Sequence, residues 1–121
     1  MIGTTRINSS PEELRRRTKQ FVLRIIKLFR ALPKTEEARV LGKQVLRSGT
    51  SVAANYRSAC RGRSRAEFIS KIGITLEEAD ETIFCFELLV DANIVKETRL
   101  EKSLTDANEL VRIFAATRAT A

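Results

Sequence analysis

The sequence predicts an all-α fold, an antiparallel up-down-up-down four-helix bundle. Three observations carry that prediction. Helix-start signatures recur along the chain, apolar residues repeat at helical spacing between them, and the connections are short enough to make sequential helices antiparallel neighbours. Strand character is confined to short apolar runs, and there is no internal repeat. The 121 residues suffice for one domain, and a hydrophobic fraction of 43% is too high for a disordered basic tail.

Each helix has its own start signal. Ser10-Pro11-Glu12-Glu13 supplies an N-cap, a proline at the first helical position and a capping-box glutamate, opening a helix over about 11–32 that stops before Pro33. Thr35 caps a second helix over about 36–61, with Glu36 and Glu37 in its first turn. After the break at Arg61-Gly62-Arg63, the box Ser64-Arg65-Ala66-Glu67 opens a third helix over about 65–92. Thr98-Arg99-Leu100-Glu101 is a further box and predicts a fourth helix over about 99–117. A helix of about 22 residues is about 33 Å long, which suits a simple bundle. Residues 1–9 are expected to form a flexible arm before a single domain over 10–118.

The helix faces assign a core. In the first helix Phe21, Val22, Ile25, Ile26, Leu28, Phe29 and Leu32 share one arc, while Arg16, Lys19, Lys27 and Arg30 point away. Leu41, Val45, Val52, Tyr56 and Ala59 mark the second helix's apolar face, and Leu100, Leu104, Ala107, Val111 and Phe114 the fourth's. The third is expected to bury Phe68, Ile69, Ile72, Leu76, Ala79, Ile83 and Val90. Asp80 and Glu87 fall in that same arc, and Asn55 lies at the edge of the second helix's apolar face. Buried polar groups require partners. A structural polar network of Asn55, Asp80 and Glu87, with Arg57, Arg61 or another subunit as further partners, is therefore expected, and catalytic carboxylates are the alternative. Glu78 is expected to face water. Ile74, Cys85, Leu88 and Leu89 lie away from the stripe and are candidate oligomer contacts. Gly73 inside that helix marks either a close helix approach or a kink.

Charge is unevenly placed. The net charge of +7 divides into residues 1–65, with 16 basic and 4 acidic side chains, and residues 66–121, with 6 basic and 11 acidic. Fifteen of the 22 basic residues are Arg, a phosphate-pairing side chain. Arg39, Lys43, Arg47, Arg57 and Arg61 form a ridge opposite the second helix's apolar face, with Thr50 and Ala54 in its gap, and Arg63 and Arg65 extend it into the turn. These seven residues are the candidate nucleic-acid-binding set. The rival reading is that the two halves of the chain neutralise one another, within or between subunits.

Other chemistry is poorly provided for. There is no His, so the commonest general base and zinc ligand is missing. Cys60 and Cys85 form no CxxC pair, the five glycines make no phosphate-cradling loop, and Ser51 has no base beside it. Glu77-Glu78-Ala79-Asp80-Glu81 splays around its helix, which argues against a preformed metal cage. No catalytic residue, metal or cofactor is expected. No apolar run spans a membrane and no signal peptide is visible, so a cytoplasmic location is expected.

Val52-Ala53-Ala54-Asn55-Tyr56-Arg57, then Ser64-Arg65-Ala66-Glu67-Phe68, then Glu77-Glu78-Ala79-Asp80-Glu81 resemble a family of small bacterial four-helix-bundle proteins. That family includes proteins encoded within intervening sequences of 23S ribosomal RNA genes, labelled S23-like. The resemblance covers roughly residues 20–115. It implies a protomer that assembles into a ring, typically a homopentamer, with no known enzymatic activity. More distantly, the chain is similar to the basic accessory proteins of diversity-generating retroelements. Where the wider family often has an Asn-Ile-Ala-Glu-Gly run, this chain reads Asn55-Tyr56-Arg57-Ser58-Ala59, a departure that marks a variant branch. The sequence thus predicts a non-enzymatic, homo-oligomeric bundle associating with RNA or DNA through its basic surface. The alternative is a structural or protein–protein interaction module with no nucleic-acid role.

Overall fold

A computed structural model of the protein describes residues 10–121, so the expected arm at 1–9 lies outside the described residues. Among these residues four helices follow in chain order: α1 (Pro11–Ala31), α2 (Glu36–Cys60), α3 (Arg65–Asp91) and α4 (Glu97–Thr120). The expected all-α four-helix bundle is what forms.

Three of the starts are capped as their residues require. Ser10 Oγ accepts from the Glu13 backbone N–H at 3.1 Å, Thr35 Oγ1 from Ala38 at 3.3 Å, and Ser64 Oγ from Glu67 at 3.1 Å. The Glu67 carboxylate reaches back to accept from the Arg63 backbone N–H at 2.8 Å, one residue before the cap. Pro33 disfavours a helical Leu32, whose ψ of 151° ends α1. The α3 terminus is closed by Asn93 at φ 59°, with Asn93 N–H bonded to the Val90 carbonyl and Ile94 N–H to the Leu89 carbonyl, each at 2.9 Å. That is the Schellman arrangement, and asparagine tolerates its left-handed position.

The fourth start differs from expectation. α4 begins at Glu97 behind Lys96, which makes no side-chain cap bond, and Thr98 lies inside the first turn. Ile94 and Val95 pack against the core immediately before it, so burial of the connection decides where the helix begins. The same helix runs on to Thr120, beyond the expected end near 117, through the strong helix former alanine.

Numbered contacts give the topology. Arg17 pairs with Glu109 at 2.6 Å and Arg24 with Asp106, so α1 and α4 run in opposite directions. Packing between those two helices is otherwise sparse, and Asp106 also lies 3.6 Å from Arg17. Core rings meet across the diagonals: Phe21 of α1 stands edge-on to Phe86 of α3 at 6.4 Å, and Tyr56 of α2 stacks at a tilt on Phe114 of α4 at 5.3 Å.

The α1–α2 seam is set by two glycines. A Cβ on Gly42 would lie 2.6 Å from Leu32 Cδ1 and 3.0 Å from Phe29 Cδ1, and one on Gly49 would overlap Ile25 Cδ1. These positions are seven residues apart on each helix, so the missing side chains form two successive sockets. Gly73, by contrast, has room for a Cβ, which would meet only Arg118 Nη1 at 3.9 Å, so of its two alternatives, close approach or kink, the close approach is not there.

In α3 the buried face is rotated from the expected one. Ile72, Thr75, Ala79, Thr82, Cys85, Phe86 and Leu89 are buried, while Leu76, Ile83 and Val90 are only partly covered. Threonine makes the difference. Thr75 donates to the Lys71 carbonyl at 2.8 Å; Thr82 Oγ1 lies 2.8 Å from the Glu78 carbonyl and 2.7 Å from Ser48 Oγ of α2. With its hydroxyl satisfied by its own helix, each threonine packs as a small core residue.

Gly49→Ala gains helix propensity worth about 1 kcal/mol but collides with Ile25 Cδ1. Removing that methyl with Ile25→Val should therefore make Gly49→Ala more favourable by about 1 kcal/mol than in the parent, a coupling read from a denaturation double-mutant cycle.

Candidate functional site

The seven expected basic residues do not form one continuous ridge. Arg47 turns toward α3, where Glu78 Oε1 lies 3.3 Å from its Nη2 and Glu81 accepts a shorter bond. Hydrogen bonds to Glu81 and then Glu78 raise its pKa further, and Glu78 Oε1 is buried with that off-axis guanidinium as its counter-charge. Arg39 lies at the other end of the bundle, lining a hollow of about 450 Å³ with Phe29, Leu32, Pro33 and Glu36. Lys43 is exposed on α2, and Arg63 and Arg65 are exposed in the turn before α3 and at its first residue.

Arg57 and Arg61 find different company. They form one wall of a surface groove of about 1000 Å³ between α1 and α2, and Arg15, Arg16 and Lys19 form the other. Between the walls it is lined by Val22, Thr50, Ala53 and Ala54. The groove exists because α2 presents small side chains beneath long ones. No carboxylate lines it among the described residues, and none of its five cations has a described ion-pair partner there. Leu23 remains 53% exposed on its flank.

The α1 cations were missed as site residues because a wheel treats each helix alone. The signal was available. With Ile25 opposite Gly49 and Leu32 opposite Gly42, the antiparallel register sets Arg15, Arg16 and Lys19 beside the last two turns of α2.

Within the chain the expected polar network does not assemble. Asn55 donates to the Ser51 carbonyl at 2.9 Å and lies 3.0 Å from Ser51 Oγ, both in its own helix. Asp80 and Glu87 are exposed, and Glu78, expected in water, is the partly buried carboxylate. The rotation of α3 accounts for all three. It also buries Cys85 and Leu89, two of the four expected oligomer contacts, leaving Ile74 37% exposed and Leu88 half-buried. Phe84, 55% exposed, joins that outer face and was not anticipated.

Cys60 lines the groove, and Tyr56 is buried beside its thiol, where desolvation pushes the phenol pKa upward. Burial likewise pushes the Cys85 thiol up, aided by the Glu81 carboxylate. Among the described residues no group of three or more His, Cys, Asp or Glu is placed to hold a metal ion, and no helix is long and apolar enough to cross a membrane. The arrangement offers fixed positive charge over an apolar floor, which suits binding of an anion.

A sequence model of the 23S rRNA-intervening sequence protein family matches residues 12–116. The chain belongs to that family. A crystal structure of an S23 ribosomal protein family member of unknown function from Bacteroides thetaiotaomicron is similar throughout, with a TM-score of 0.84 and 33% identity. The match covers 90% of this chain and 97% of that one. No curated protein matches the sequence. The family model reaches all four described helices of this chain and both walls of its groove.

The polar seam between α2 and α3 orders two substitutions. Glu78→Ala removes a partly buried ion-pair partner and should lower the melting temperature more than Asp80→Ala, which alters an exposed carboxylate. Equal shifts in thermal denaturation would contradict the described α3 rotation.

Proposed function

We propose that the chain is a non-enzymatic, self-associating cytoplasmic protein that binds RNA or DNA through the α1–α2 groove. One observation carries this reading: five cations face one another across a single groove that no carboxylate lines among the described residues. Such a surface attracts a polyanion at long range and releases its counterions on contact. The family's description, which ties it to 23S rRNA intervening sequences, is consistent with a nucleic-acid partner. The absence of histidine supports a binding role over acid–base chemistry.

Self-association rests on a separate feature. Ile74 and Phe84 expose apolar surface on the outer face of α3, next to the carboxylates Glu77 and Glu81. Repetition of the groove in each copy of an assembly, a pentamer in the reading from family resemblance, would add avidity to modest phosphate contacts. The protein-interaction alternative draws support from that same face and from the internal pairing of Arg47.

Two measurements test the reading. Replacing Arg16, Lys19 and Arg57 together by Ala should flatten the dependence of log K on log salt by about 2 to 3 units for labelled RNA or DNA, while Arg47→Ala leaves the slope unchanged. Absence of binding to either polymer at low salt removes the proposal. In light scattering, Phe84→Asp should lower the molar mass of the assembly; a strict monomer in the parent protein removes the self-association element.

A further inference from the structure

We infer that the groove seats the sugar–phosphate edge of one strand of a nucleic-acid duplex and makes no base contacts, an inference that rests on the nucleic-acid reading above. The walls limit what can enter. Axes of packed helices generally lie about 8–10 Å apart, so a depression between two of them admits one backbone strand and not the whole width of a duplex. The cations suit such a strand. Arg15 and Lys19 are four residues apart on one wall, as are Arg57 and Arg61 on the other. At 1.5 Å per residue each pair is separated by about 6 Å along its helix, close to the spacing of adjacent phosphates on one strand. The small, apolar floor of Ala53, Ala54 and Val22 meets sugars without demanding hydrogen bonds.

Bases find no equivalent surface. None of the chain's six Phe or its single Tyr lines the groove. Phe21 and Tyr56, the aromatics of the α1–α2 segments beside it, are buried in the core. Proteins that hold unpaired strands without sequence preference rely on aromatic platforms, and that term is missing here. A duplex keeps its bases stacked on one another and presents phosphate and sugar along each strand's outer edge, the parts this groove can satisfy.

The test uses the full chain with RNA and DNA duplexes of about 20 base pairs and an unstructured single strand of matched length. Duplex should bind at least about fivefold more tightly than single strand at equal salt, and scrambling the base sequence should change Kd less than about twofold. Ala54→Glu places a carboxylate on the floor and should weaken duplex binding about tenfold; Gln44→Glu, an equal charge change at an exposed α2 position away from the groove, should have a much smaller effect. Iodoacetamide labelling followed by mass spectrometry locates the contact, because Cys60 lines the groove and Cys85 is buried. Saturating duplex should slow Cys60 alkylation several-fold. Preference for the single strand, with affinity lost on abasic substitution, would overturn the inference in favour of base stacking. Unchanged Cys60 alkylation at saturation, or equal effects of Ala54→Glu and Gln44→Glu, would place the nucleic acid elsewhere and overturn the groove assignment. No binding of any polymer at low salt would remove the underlying functional reading as well.

Discussion

The close approach of α1 to α2 is the constraint on which the candidate site depends. Gly42 and Gly49 leave sockets for Leu32 and Ile25, seven residues apart on both helices, so sliding one helix against the other would force those side chains out of their sockets. Register here is a steric matter, because the terminal methyls of Leu32 and Ile25 occupy the space that a side chain at Gly42 or Gly49 would take. The consequence appears two turns away. With Ile25 held against Gly49, the basic first turns of α1 lie beside the basic last turns of α2, and Thr50, Ala53 and Ala54 leave a depression between them. Like charges facing across a groove do not stabilise a fold. Their juxtaposition is tolerated because the apolar seam is strong enough to hold it, and an anion in the groove would relieve it.

The α2–α3 seam answers a different requirement, the rotation of α3 about its own axis. Ser48 and Thr82 place two hydroxyls 2.7 Å apart in the buried interface, and Arg47 bridges Glu78 and Glu81 at its solvent edge. Turning α3 toward the face its large aliphatic residues favour would expose Phe86 and Leu89 and separate the hydroxyl pair. The polar seam is thus a specificity device more than a source of stability: exposed ion pairs contribute little, whereas unsatisfied buried groups are penalised.

This explains which parts were legible in the sequence. Caps at Ser10, Thr35 and Ser64 could be read because they are local, requiring only a side-chain oxygen three residues before an N–H. The α2 face could be read because Val45, Val52 and Tyr56 stand out from the charges around them. α3 misled because threonine counts as polar in an isolated helix, while Thr75 and Thr82 are core residues once their hydroxyls bond the preceding turn. From that one error came the misplaced Asp80, Glu87, Cys85 and Leu89. The groove was half legible: Arg57 and Arg61 were visible on one helix, but their relation to Arg15, Arg16 and Lys19 is a pairwise property that needs the glycine register.

The charge asymmetry offered two readings, mutual neutralisation of the two halves or a surface for phosphates, and the structure divides the arginines between them. Arg17 and Arg24 pair with Glu109 and Asp106, and Arg47 with Glu78 and Glu81; every one of these acids comes from the acidic half. Among the described residues, neutralisation is therefore real at the seams α1 makes with α4 and α2 with α3. The α1–α2 seam has basic-half residues on both sides, and no acid from the C-terminal half lines its groove. The N-terminal hairpin holds only four acids, Glu12, Glu13, Glu36 and Glu37, none of which lines the groove, while eleven of the chain's fifteen acids lie beyond residue 65. Uncompensated charge is thus a consequence of topology as much as of composition, and its natural counter-charge must come from outside the fold.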